Sequence, residues 1–98
     1  MVRVIYRWQV DPENFNEFKD IWSKTTNRIH ASVDGAQGSF LLKSFENDTE
    51  VLTIAKWDSL ESWKSFWGNE NPKEMEAMRK LGKRISAEVF EEIEDFTR

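Results

Sequence analysis

The chain lacks cysteine and has a single histidine, and these two shortages exclude several kinds of chemistry. Without cysteine there is no disulfide bond, no thiolate nucleophile and no cysteine-ligated metal site. One imidazole does not make a conventional metal site by itself, and no pair of carboxylates stands out along the chain. Four scattered glycines do not form a phosphate-binding loop. We therefore expect no metal and no cofactor bound through such a loop.

Long apolar segments and an excess of basic charge are also missing. No apolar run approaches the roughly 20 residues that cross a bilayer, and the first residues show no secretory signal. The expected protein is cytoplasmic, with no membrane partner. A formal net charge of −4 makes nucleic acid and anionic lipid unfavourable partners.

Aromatic residues, in contrast, are abundant. Five tryptophans and seven phenylalanines occur among 98 residues, a length that suits one domain with one modest core. Such a core does not easily bury this many large rings. We therefore expect some of them to face a ligand cavity or a partner subunit.

Hydrophobic periodicity predicts three strands and a first helix. Residues 2–10 alternate between apolar and polar side chains, while residues 38–45 and 50–57 form two apolar segments joined by a short polar connection. A helix is expected from Pro12 to about His30, because its apolar positions are spaced by three and four. Asp11 is the expected N-cap, with proline at the first helical position. Residues 31–37 are predicted to be a loop.

A second helix is expected directly after the third strand, where tryptophans are concentrated. Leu60, Trp63 and Trp67 share one helical face, and Gly68 is a natural stop. Asp58, followed three residues later by glutamate, resembles a capping box.

A third helical segment is predicted from Asn71, the expected N-cap, with Met75, Met78, Leu81 and Ile85 as its apolar stripe. Gly82 is a possible earlier end. Residues 86–98 fit either a helix or a strand by pattern. We favour a strand, because a β-α-β-β-α order requires a closing strand.

The predicted fold class is therefore α+β, a ferredoxin-like β-α-β-β-α-β sandwich whose second helix is split. Helices cover only one face of such a sheet, yet the strands carry apolar residues on both sides. A homodimer that packs sheet against sheet resolves this conflict.

Two segments resemble the antibiotic biosynthesis monooxygenase family. Residues 35–44 are similar to its second strand, and residues 50–63 are similar to the family's strand-to-helix junction with its Trp-acidic-Ser signature. The resemblance implies a dimeric α+β barrel with a pocket in each subunit between sheet and helices. It also implies cofactor-free oxygenation of polycyclic phenols and quinols, although some relatives degrade haem and others have no known activity.

The resemblance extends to individual residues only in part. Trp57 matches the junction tryptophan of the polyketide-oxidising members, but Thr53 stands where they have asparagine, and Trp63 where they have tyrosine. These two replacements remove groups that could hold or deprotonate a substrate hydroxyl. Haem-degrading members need a histidine on the helix after the junction, and residues 69–85 contain none.

Two residues are candidates for catalysis, His30 and Arg7, although a helix-terminal histidine and a surface arginine are the ordinary structural alternatives. The candidate substrate-binding residues are Trp22, Thr53, Trp57, Trp63, Trp67 and Arg79. Core packing is the alternative for the tryptophans, and a solvated surface charge for Arg79. The predicted function is cofactor-free monooxygenation of a small flat aromatic substrate. The alternative is a dimeric, non-enzymatic binding or interaction module.

Overall fold

Four antiparallel strands and three α-helices make up the computed structural model, which describes residues 1–68 and 72–97. The elements follow in the order β1 (Val2–Gln9), α1 (Phe15–Ser32), β2 (Ala36–Lys43), β3 (Glu50–Trp57), α2 (Leu60–Trp67), α3 (Glu76–Leu81) and β4 (Lys83–Glu91). The strands form one sheet in the order β2-β3-β1-β4. The predicted ferredoxin-like α+β fold with a split second helix is confirmed.

The core lies between the helices and one face of the sheet. Alternation along β1 buries Val4, Tyr6 and Trp8 on this face, because successive strand residues point to opposite sides. Phe18 from α1 and Met78 from α3 pack in the same core, each at most 2% exposed. The Trp8 and Phe18 rings meet edge to face, with centroids 5.2 Å apart.

The opposite face of the sheet, which we call the open face, is partly apolar. It carries Phe40 and Leu42 of β2 opposite Ile54 and Leu52 of β3, and the Phe40 and Leu42 side chains are 46% and 45% exposed. Directly opposed residues of neighbouring strands share a face, so these four form one patch. The chain itself therefore leaves apolar surface uncovered, as the two-sided strand pattern predicts.

The first half of the chain follows the predicted boundaries with two corrections. Helix α1 continues to Ser32, and β2 covers Ala36–Lys43 rather than residues 38–45. Strand β2 ends early because Ser44 Oγ accepts hydrogen bonds from the backbone N–H groups of Glu46 and Asn47, both at 3.1 Å. These bonds fold the chain into a turn.

Two predicted N-caps differ from the observed ones. Asp11 makes no side-chain capping bond, and a 3₁₀ turn, Pro12–Asn14, precedes α1. Helix α2 is capped by Ser59 instead of Asp58: its hydroxyl accepts a hydrogen bond from Ser62 N at 3.1 Å. Serine caps as well as aspartate does, so the true cap is one residue later than the prediction.

The second half of the chain also needs correction. Helix α3 ends at Leu81, where Gly82 takes an extended conformation, so Ile85 belongs to β4 and not to a helical stripe. The closing strand exists but covers Lys83–Glu91, and residues 92–97 have no regular structure. The predicted cap Asn71 lies outside the described residues. Gly68 does end α2 with a positive φ of 53°.

Candidate functional site

A cavity lies between α1, the strand-to-helix junction and the buried face of the sheet. Its volume is about 40 Å³, or about 460 Å³ when the gaps between atoms and the solvent at its mouth are counted. The side chains that matter most for its chemistry are Tyr6, Trp22, His30, Thr53, Trp57 and Phe66. Apolar walls with a few polar groups are typical of small-molecule sites.

Trp57 forms part of the wall at the end of β3. It is 2% exposed, and its ring lies 5.2 Å from that of Phe66 with an angle of 35° between the planes. The pair is placed by the turn into α2, where Gly35 O accepts a hydrogen bond from Asp58 N at 2.9 Å. The strand-to-helix junction thus builds an aromatic wall, which is suited to a flat ring system.

A hydroxyl cluster forms the wall between α1 and β2. Trp22 Nε1 donates to Ser39 Oγ at 3.2 Å, and the hydroxyls of Thr26 and Ser39 are 2.7 Å apart. These bonds hold the indole of Trp22 in place beside the cavity. They also give the Trp22 indole nitrogen and both hydroxyl groups at least one hydrogen-bond partner within the protein.

Thr53 and Tyr6 supply two hydroxyl groups on the sheet side. The two residues are directly opposite each other in the β1–β3 pair, and their exposures are 2% and 4%. Thr53 Oγ1 accepts from Trp8 Nε1 at 3.2 Å, and the Tyr6 hydroxyl oxygen accepts from Trp63 Nε1 at 3.0 Å. Each hydroxyl is therefore held by an indole N–H group.

Tyr6 also belongs to an aromatic stack behind the cavity. Its ring lies 5.5 Å from that of Trp67, which lies 5.2 Å from that of Trp63, and the guanidinium of Arg84 sits 4.7 Å from the Trp67 ring centroid. Burial raises the pKa of Tyr6 to about 12, against smaller lowering effects of the Trp63 hydrogen bond and the Arg84 charge. The phenol is therefore neutral at physiological pH.

Of the predicted site residues, the structure brings four to the cavity: Trp22, His30, Thr53 and Trp57. His30 lies near the C-terminus of α1 and is exposed, so it stands where the cavity meets solvent. An imidazole at this position is accessible both to a ligand and to water, which a proton-transfer group requires.

The other four predicted residues lie elsewhere. Arg7 points to the open face, where its Nε donates to Glu88 Oε1 at 2.9 Å, and Arg79 donates to the carbonyl of Pro72 at 2.9 Å. Trp63 and Trp67 stack behind Tyr6, outside the cavity lining. Arg7 is separated from the cavity because it neighbours the inward-facing Tyr6 in a strand.

Sequence reasoning missed several cavity residues, among them Thr26, Ser39, Phe66 and, most important for the chemistry, Tyr6. The alternation along β1 already assigned it to the same face as Val4 and Trp8. It is the one polar group among these inward-facing positions, and the only tyrosine in the chain. A polar ring at a core position of a central strand was the signal that could have found it.

Within residues 1–68 and 72–97, no group of three or more histidine or acidic side chains is arranged to hold a metal ion. In the same part of the chain, none of the helices combines the length and apolar character needed to cross a membrane.

A sequence profile described as antibiotic biosynthesis monooxygenase matches residues 1–79. Among solved structures, the fold is similar to SnoaB, a cofactor-independent oxygenase from Streptomyces nogalater, with a TM-score of 0.73 and 19% identity over 99% of this chain and 97% of that one. A candidate antibiotic biosynthesis monooxygenase from Caulobacter crescentus has a TM-score of 0.77 and 18% identity, over 95% of this chain and 90% of that one. Rv0793 from Mycobacterium tuberculosis has a TM-score of 0.69 and 16% identity, over 98% of both chains. A search of curated proteins finds no significant match.

Proposed function

Because this chain belongs to the antibiotic biosynthesis monooxygenase family, we propose that it is a cofactor-independent monooxygenase acting on a flat phenol- or quinol-like aromatic molecule. The observation that supports this proposal most is the cavity, whose Trp22 and Trp57 walls suit a planar ring system. His30 at the solvent edge is the proposed proton acceptor. The proposal follows the family and the shape of the site, and SnoaB is a relative with this type of chemistry.

The proposed reaction converts a ring CH₂ group, activated by a neighbouring carbonyl or phenol, into a carbonyl with release of water. The substrate loses a proton to His30 and becomes a carbanion, which passes one electron to O₂. The resulting radical and superoxide combine into a C–O bond, and protonation gives a hydroperoxide. Loss of the second C–H proton breaks the O–O bond and releases water. The substrate supplies all four electrons that reduce O₂, so the reaction balances without an external reductant.

The protein's part in this reaction is to orient the substrate and to exclude bulk water. Trp57 and Phe66 hold one side of the ring system, and Trp22, fixed by Ser39, holds the other. A substrate held in this way reacts within a bound complex instead of through random collisions. Thr53 provides a polar contact on the sheet side of the cavity.

We propose in addition that the protein is a homodimer, formed by two open faces packing together. The exposed Phe40 and Leu42 side chains, beside Leu52 and Ile54, support this arrangement. Arg7 and Glu88 would then form a polar contact at the rim of the apolar patch.

The monooxygenase proposal is tested by oxygen uptake with anthrone as substrate, at micromolar protein in air-saturated buffer. We expect the wild-type protein to take up oxygen faster than the spontaneous reaction does. The rate of uptake should be about tenfold or more lower in Trp57→Phe and in His30→Ala, since a positioned acid–base group contributes on the order of 10²-fold or more. Asn27→Ala is the matched control, because Asn27 is exposed on the same helix as His30 but does not line the cavity. Uptake equal to background would reject the proposal.

A non-enzymatic binding module is the second candidate. The observation that favours it is that the hydroxyl oxygens of Ser39 and Thr53 already accept indole N–H hydrogen bonds, from Trp22 and Trp8, so neither oxygen acts as a base. Quenching of tryptophan fluorescence by anthrone under anaerobic conditions, together with no oxygen uptake in air, would identify this function.

A further inference from the structure

Tyr6 and Thr53 both line the cavity, and the hydroxyl oxygen of each accepts a hydrogen bond from an indole N–H group. From this geometry we infer that they form an oxygen-binding site, which selects flat aromatic ligands that carry a carbonyl or phenolate oxygen at one edge. The inference rests on the proposed function for the ligand class only, and it requires no chemical step.

Each of the two hydroxyl oxygens has a lone pair occupied by a donor from the protein. An indole N–H group only donates, so both hydroxyl oxygens act as acceptors toward their indole partners, Trp8 for Thr53 and Trp63 for Tyr6. Among the described residues, neither hydroxyl has a further hydrogen-bond partner. Each therefore retains its own hydrogen for an acceptor that the described residues do not supply.

Tyr6 and Thr53 line the cavity, but Trp8 and Trp63 do not. Both indoles therefore approach the hydroxyl oxygens from outside the cavity. A hydroxyl hydrogen avoids the side of the oxygen where an N–H group already points, so the directions left to both hydrogens include the cavity side. The register places Tyr6 directly opposite Thr53, so the two residues are neighbours on the sheet face that borders the cavity.

Burial raises the pKa of Tyr6 to about 12, so the phenol keeps its hydrogen at neutral pH and acts as a donor rather than a base. Arg84 stacks on Trp67, which in turn stacks on Tyr6, and places a positive charge behind the phenol. A ligand oxygen with partial or full negative charge is the acceptor that such surroundings stabilise.

The other polar side chains of the cavity include Ser39 and His30. The hydroxyl of Ser39 is bonded to Thr26 and Trp22, and the imidazole of His30 lies at the solvent edge. The Thr26–Ser39 pair uses one of its two hydroxyl hydrogens in their mutual bond, whereas on the sheet side neither the Tyr6 nor the Thr53 hydrogen has an acceptor among the described residues. A ligand bound through its oxygen there turns its opposite edge toward His30.

The test compares two air-stable probes, 9-fluorenone and fluorene, which are both flat and differ by a carbonyl in place of a CH₂ group. Their dissociation constants are measured by tryptophan fluorescence with the wild-type protein. We expect fluorenone to bind about five- to tenfold more tightly, the usual size of a net hydrogen bond to a neutral group. Equal affinity for the two probes, or no measurable binding of fluorenone, would overturn the inference without any mutation.

The variants separate the donor from the packing around it. Tyr6→Phe removes the hydroxyl and is expected to reduce the fluorenone preference to about twofold or less. Trp63→Phe breaks the same Trp63–Tyr6 hydrogen bond from the other side but keeps the phenol, so it is expected to preserve most of the preference. Circular dichroism confirms that each variant is folded. A preference unchanged in Tyr6→Phe, or lost equally in Trp63→Phe, contradicts a donor role for Tyr6.

This outcome is independent of the monooxygenase assay. Fluorenone preference without oxygen uptake from anthrone would support the oxygen-binding site and reject the proposed reaction. Oxygen uptake without fluorenone preference would support the proposed reaction and reject the oxygen-binding site.

Discussion

Trp8 donates a hydrogen bond through its indole nitrogen to Thr53 Oγ1 at 3.2 Å, between the two central strands β1 and β3. Both side chains are almost completely buried, with exposures of 1% and 2%. Thr53 therefore has a structural role as well as its place in the cavity. A buried donor left without an acceptor costs more than the bond itself contributes.

Thr53→Val should destabilise the protein, because it keeps the shape of the side chain but removes the acceptor for Trp8. The expected loss in the free energy of unfolding is about 1–3 kcal/mol. Thr53→Ser is the matched control: it keeps the acceptor and loses a methyl group, which costs about 1 kcal/mol. Urea unfolding measures both, and a valine variant as stable as the serine variant would show that the hydrogen bond contributes little.

Gly35→Ala should be more damaging than Gly38→Ala, although both glycines have a positive φ, 88° and 95°. At Gly35 a Cβ would lie 2.5 Å from Asp58 Oδ1 and 2.6 Å from Ser62 Cβ, whereas at Gly38 the nearest atom is His30 Nδ1 at 4.0 Å. The alanine at 38 is expected to cost only backbone strain, about 1–2 kcal/mol.

Gly35→Ala adds a steric clash at the turn that positions Trp57. Its loss in the free energy of unfolding should therefore exceed that of Gly38→Ala by about 1 kcal/mol or more, the size of a small overpacking cost. Thermal unfolding of both proteins provides the comparison. Similar losses would mean that α2 moves away from the β2 turn at little cost.

Tyr6 should make the protein less stable as the pH rises from about 10 to about 12. In this window the unfolded chain loses the phenol proton at its ordinary pKa of 10.0, while the folded chain retains it up to about 12. The unfolded state therefore binds fewer protons, and the free energy of unfolding falls with pH, by about 2–3 kcal/mol across the window.

Two measurements check this alkaline transition. The chain has one tyrosine, so tyrosinate absorbance near 295 nm follows Tyr6 alone, with an expected midpoint near 12 in buffer and near 10 in urea. The difference in stability between the wild-type protein and Tyr6→Phe removes the contribution of lysines that titrate in the same range. A folded-state midpoint near 10 would show that the phenol is solvated.

Phe40→Asp should convert the proposed dimer into a monomer, because it places a charge in the apolar patch of the open face. Phe40 is 46% exposed and faces Ile54, and a charge buried in such an interface without a partner is strongly unfavourable. Phe45→Asp is the control, because Phe45 is fully exposed after the end of β2 and belongs to no strand.

Light scattering at micromolar protein distinguishes the two variants. The wild-type protein and Phe45→Asp are expected at twice the 11.6 kDa chain mass, and Phe40→Asp at the chain mass itself. A wild-type protein that scatters as a monomer at this concentration would reject sheet-to-sheet dimerisation.

Local pattern was sufficient for much of the fold. Strand β3 begins and ends where its apolar run does, at Glu50 and Trp57, and α2 follows from the spacing of Leu60, Trp63 and Trp67. Boundaries that depend on a single cap were less predictable. Ser59 and Asp58 are equally good caps by type, and the turn formed by Ser44 ends β2 through side-chain hydrogen bonds that pattern does not show.

The closing strand shows the limit of periodicity. Residues 86–98 fitted a helix as well as a strand, and topology decided for a strand. The observed β4 starts at Lys83, directly after Gly82 ends α3, because its backbone pairs with β1 from Gln9 onward. That pairing satisfies hydrogen-bonding groups of a distant segment, which no local window contains.

The sequence by itself determined the α+β class, the strand-to-helix junction at Trp57 and the face of β1 on which Tyr6 lies, since each follows from a local repeat of two or of three to four residues. Only the tertiary structure decided which aromatic rings border the cavity. Trp63 and Tyr6 are 57 positions apart, and their hydrogen bond turns Trp63 into a support for the phenol. Arg7 was separated from the site by one step along a strand. Side-chain partners at such distances are fixed by how the elements pack, and packing is a property of the whole chain.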